Sequence, residues 1–138
     1  VEGLLEAFAE ELAASAERPL PEDLVAAAWA LAKRGRRGSR AAEALTERTG
    51  ASLRDFDGNE LAQLAWSSAK LDAGGEGLMR ALAESAAAEL GVLAPRSLSN
   101  IAWAFASHAA LSGTRGPVRS LFLGLARAVV AKASGFAP

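Results

Sequence analysis

Apolar positions along this chain recur with a helical period, and the whole arrangement returns every 37 residues. One stripe runs Leu24, Ala27, Ala28, Leu31. The next holds Leu61, Leu64 and Ala65, and the third Leu98, Ile101, Ala102 and Phe105. Steps of three and four place each set on one side of an α-helix. Each segment also carries one of the chain's three tryptophans, Trp29, Trp66 and Trp103, spaced 37 and again 37 residues apart. Ala28, Ala65 and Ala102 precede them, while Ala32, Ala69 and Ala106 follow three positions on. Upstream, Ala7, Ala44 and Ala81 align, as do Phe8, Leu45 and Leu82. A fixed interval of this length is the mark of one structural unit used repeatedly. Each unit reads as two helices, a first one (B) and a tryptophan-bearing one (A).

Helix-end chemistry divides the chain in the same places. Pro21 and Pro95 suit a first helical turn, where a missing N–H removes no bond. Asp57 with Glu60 three residues on is a capping-box pattern. Glycines in "RGRRGS" and "DAGGEG" fit the turn from an A helix into the next B helix. The expected elements are B 2–17, A 21–34, B 38–49, A 57–72, B 75–90, A 95–110 and B 116–133.

A single hairpin of this size cannot bury both its faces, whereas stacked hairpins share a continuous core. The expected fold is therefore all-α: an α-solenoid of stacked antiparallel helical hairpins, with seven helices in about three and a half repeats. It forms one domain over residues 1–138, with units at about 1–34, 38–72 and 75–110 and a last helix at 116–133. The chain opens on Val1, so a processed form or a fragment is expected. The apolar stretch "LFLGLARAVV" calls for a covering neighbour: another repeat, another subunit or an oligomeric contact.

Composition sharpens this picture. The chain is 51% hydrophobic but only 6% aromatic, with alanine supplying much of the apolar content. Small side chains suit close helix packing, and alanine is the strongest helix former. With no cysteine there is neither a disulfide framework nor a thiolate metal site. No apolar run approaches the roughly 20 residues of a membrane span. The net charge of −1 conceals an asymmetry: residues 1–23 hold seven acids and one base, and no acid follows Glu89.

On a helical wheel the side of helix A opposite the core stripe holds positions 26, 30 and 33 and their equivalents. These are Ala26, Ala30 and Lys33, then Gln63, Ser67 and Lys70, then Asn100, Ala104 and Ser107. Such a stripe is either a plain solvent face or a ligand-facing surface, since two or three side chains per helical repeat can read one RNA base. Trp29, Trp66 and Trp103 fall between the two sides. The expected role is packing between repeats, with base stacking or a partner contact as the alternative. The run "KRGRRGSR" brings Lys33, Arg34, Arg36, Arg37 and Arg40 into eight residues. It is either a solvated loop or a contact for anions, RNA phosphate or an acidic protein surface.

Nothing in the sequence reads as an enzyme, a metal centre or a cofactor site. His108 is the sole histidine and has no cysteine partner. "DAGGEG" lacks the flanking strand and the lysine of a phosphate loop. Glu10 and Glu11 sit in a plain acidic helix. No small-molecule substrate is expected.

The segments "DLVAAAWALAKRG", "ELAQLAWSSAKLD" and "SLSNIAWAFASHA" resemble helix A of the octotricopeptide and heptatricopeptide repeat proteins. The shared features are a leucine, a small residue before tryptophan, a following alanine and often a lysine. The 37-residue interval is that of the heptatricopeptide form. The resemblance implies a mitochondrial or chloroplast protein that binds organellar RNA. Carried over by position, the contacts would be Lys33, Gln63, Lys70, Asn100 and Ser107, with Arg34, Arg36, Arg37 and Arg40 holding phosphates. The alternative is an architectural subunit of a larger protein assembly, such as a ribosome or a photosynthetic or respiratory complex.

Overall fold

A computed structural model of the chain describes residues 2–112, 123–125 and 127–128. The described residues are all-helical with no strand. The helices are α1 (Glu2–Ala14), α2 (Pro21–Lys33), α3 (Arg40–Gly50), α4 (Gly58–Leu71), α5 (Gly75–Ala87) and α6 (Pro95–Ser112). Of the helix expected over 116–133, residues 123–125 and 127–128 are helical and the rest lies outside the described residues.

The helix ends follow local chemistry. Pro21 opens α2 and Pro95 opens α6. Asp57 Oδ1 accepts from the Glu60 backbone N–H at 2.8 Å, and the Asp57 N–H donates to Glu60 Oε1 at 3.0 Å. This reciprocal cap starts α4. Ser39 Oγ accepts from the Ala42 N–H at 3.1 Å and starts α3. Gly74 turns the chain from α4 into α5 at φ +83°, and a Cβ there would lie 2.4 Å from a Leu78 methyl.

Two boundaries differ from the expected ones by three residues, the other described ones by no more than two. α1 stops at Ala14 rather than at 17; Pro19 and Pro21 disfavour helical conformation at Arg18 and Leu20, which keeps the helix from resuming before α2. α5 stops at Ala87, short of 90. The link to α6 then holds a 3₁₀ turn, Leu90–Val92, and Leu53–Asp55 forms another between α3 and α4. The two turns are one repeat interval apart, and each leads to a buried anchor, Phe56 and Leu93. The links therefore repeat as well as the helices.

The helices pack as two layers. In the A layer α4 lies between α2 and α6; in the B layer α1 packs on α3, and α3 touches α5 more lightly. Every position of the expected core stripe is buried except Ala102, which is half-buried. Each fully buried leucine contributes about 1.5–3 kcal/mol.

Exposure differs at equivalent positions. Ser67 and Ala104 are fully buried, but their counterpart Ala30 on α2 is half-buried. Val25 and Ala62 are buried, but Ser99 on α6 is exposed. In the B layer Leu45 and Leu82 are fully buried, whereas Phe8 on α1 is 56% exposed. The more exposed counterparts lie on α1 and α2 for two of these sets and on α6 for the third.

Candidate functional site

The A layer decides which side chains face outward. α4 is covered on both flanks by α2 and α6 and from beneath by α5. Its open strip is therefore narrow: Asn59, Gln63 and Lys70 are exposed and Trp66 is half-buried. Equivalent strips are Glu22, Ala26, Trp29, Lys33 on α2 and Arg96, Asn100, Trp103, Ser107 on α6.

This displaces one column of the stripe read from the sequence. Positions 30, 67 and 104 belong to a flank, not to the outer face; Ser67 and Ala104 have no exposed surface. Among the described residues the buried Ser67 hydroxyl has no hydrogen-bond partner. The outer column instead runs through the tryptophans. A wheel drawn for one isolated helix cannot separate the two, because the difference lies in which flank a neighbour covers.

The strips of the three A helices converge on a cleft of about 480 Å³. Trp29 and Lys33 from α2 line it, with Asn59, Gln63 and Trp66 from α4. Arg96, Ser97 and Asn100 from α6 complete the wall. The lining contains two cations, two indoles and three side-chain amides, and no carboxylate. Ser97 donates its hydroxyl proton to Asn59 Oδ1 at 2.6 Å, which ties α6 to α4 at the rim and fixes that amide.

Lysines stand over the indoles. Lys33 Nζ lies 5.6 Å from the Trp29 ring centroid. Lys70 Nζ lies 5.8 Å from Trp66 and 5.6 Å from Trp103. Trp66 and Trp103 meet across the α4–α6 boundary, with centroids 6.2 Å apart and planes inclined at 42°. Trp29 and Trp66 line the cleft, and Trp103 does not. Each lysine follows its tryptophan by four residues, so one helical turn sets the contact.

The basic run does not form one patch. Lys33 joins the cleft. Arg36 Nε pairs with Glu6 Oε1 at 2.7 Å, holding the α2–α3 link to α1. Arg37 reaches Asp72 at 3.8 Å across an exposed gap. Arg40 turns to the other layer, lining a depression between α1 and α3. Arg34 is exposed. Ser107 lies apart from the cleft, in a small cavity of about 30 Å³ with Ser68, Asp72 and His108.

Sequence reasoning missed Asn59, Arg96 and Ser97 as lining residues. A signal for two of them was present: Asn59 and Arg96 occupy equivalent positions, four residues before Gln63 and Asn100. Among the described residues no cluster of His, Cys, Asp or Glu could hold a metal ion. None of the described helices is long and apolar enough to cross a membrane. Comparison with protein-family models, curated proteins and solved structures found no match for this chain.

Proposed function

We propose that this protein is a non-enzymatic helical-repeat protein that binds single-stranded RNA across the outer face of its A layer. The observation that carries this reading is the cleft with Lys33, Arg96, Trp29, Trp66 and three amides and no acid in its lining. Cations answer phosphates, indole faces accept unpaired bases, and amides both donate to and accept from base edges. Lys70 extends the cationic strip along α4, and Ser107 extends the outer strip along α6. Arg34 and the exposed Arg37 flank the strip as outlying phosphate contacts. Arg36 and Arg40 contribute long-range potential. The repeat interval and tryptophan segments support kinship with heptatricopeptide-type proteins, and through it a place in a mitochondrion or chloroplast.

The test is a fluorescence-anisotropy titration of a labelled single-stranded RNA with salt rising from about 50 to about 200 mM. With Lys33, Lys70 and Arg96 each meeting one phosphate, the log–log slope is expected near −2, from roughly −0.7 per contact. Absence of binding at the lowest salt overturns the reading.

One observation favours a second reading, an architectural subunit seated on a protein partner. Leu4 and Phe8 on α1 are 66% and 56% exposed, while residues at equivalent positions in α3 and α5 are buried. A large assembly that retains the protein through washing at high salt, with no RNA bound at low salt, would select this reading.

A further inference from the structure

Adjacent repeats present the same three-residue device in two states. On α4 and α6, Trp66 and Trp103 stand 6.2 Å apart and the Lys70 ammonium sits over both rings. That gap is closed by the protein's own cation. One repeat earlier, Lys33 sits over Trp29, and the space that Trp29 and Trp66 line is an open cleft of about 480 Å³. That volume lies within the roughly 300–1,000 Å³ of small-ligand sites. Trp66 serves both gaps, with one side occupied and the other open.

We infer that the open gap between Trp29 and Trp66 is a slot for one unpaired nucleobase, while the Trp66–Trp103 gap is a permanently filled counterpart. The inference rests on the RNA-binding reading and adds to it where along the strip a base is held. The chemistry of the walls selects the occupant. Lys33 and Arg96 beside the slot repel a cationic guest and hold the phosphates flanking a base. Indole faces attract a flat neutral ring. Gln63, and Asn59 with its oxygen engaged by Ser97, offer amide hydrogens to carbonyl oxygens on a base edge.

The experiment compares Trp29→Ala with Trp103→Ala in binding of a single-stranded RNA of about 12 nucleotides, a length within the site sizes of stacking grooves. Both rings are about half exposed, 45% and 43%, and circular dichroism checks that each variant folds. Trp29→Ala is expected to weaken binding about tenfold to hundredfold, the loss for one stacked base, and Trp29→Phe to restore most of it. Trp103→Ala is expected to stay within about threefold of the unsubstituted protein. RNA binding that responds equally to both alanine variants, or to neither, overturns the slot and leaves the RNA-binding face intact. Failure of the unsubstituted protein to bind RNA overturns both. If the slot instead takes an aromatic side chain of a protein partner, RNA binding is indifferent to Trp29, which also refutes the inference.

Discussion

Two depressions, one on each layer, are opposite in chemistry. The A-layer cleft is lined by Lys33, Arg96, two indoles and amides, with no acid. On the B side, the depression between α3 and α5 is lined by Glu43, Thr46, Glu47, three glycines and the aliphatic Leu78 and Ala81, with no base. The contrast belongs to these two depressions and not to whole layers, since the B-layer depression between α1 and α3 mixes Glu10 and Glu47 with Arg40 and Arg48. Overall charge says little about what such a protein attracts, because the local sign on one face decides which ligand approaches.

The comparison presumes that both layers rest on one core, and the largest effect tests that premise. Leu45→Ala, at a fully buried B-layer position, is expected to cost about 2–5 kcal/mol in urea unfolding. Phe8→Ala at the equivalent edge position is expected to cost under about 1 kcal/mol. Similar losses at both would mean that something covers α1 in solution.

The second test addresses the layers directly. Lys33→Glu combined with Arg96→Glu is expected to weaken RNA binding by about 30-fold or more at low salt. Glu43→Gln with Glu47→Gln should change it by no more than about twofold. A reversed order in anisotropy titrations would move the binding face to the B layer.

Smaller effects test the scaffold beneath the cleft. Asp57→Ala removes the reciprocal cap that starts α4 and is expected to cost about 1 kcal/mol by chemical denaturation. Ser67→Ala is expected to be neutral or to stabilise by up to about 1 kcal/mol. Its buried hydroxyl has no partner among the described residues, and the equivalent positions are already alanine. A loss instead of a gain at Ser67 would reveal an internal partner for that hydroxyl, such as a buried water.

The sequence by itself determined the helical class, the 37-residue unit, the core stripe and the helix starts. These depend on local chemistry: Asp57 caps through its own N3 residue, and Leu24, Leu61 and Leu98 share a face because 3.6 residues make a turn. The tertiary structure alone decided the outward face. Ser67 and Trp66 are adjacent and both lie off the core stripe, yet Ser67 is fully buried while Trp66 reaches the cleft. Neighbouring helices cover one flank and leave the other, and no single-helix pattern encodes where the neighbour lies. The same packing broke up the basic run, drawing Arg36 onto Glu6 and Arg40 to the opposite layer, because side chains close in sequence leave a turn in different directions.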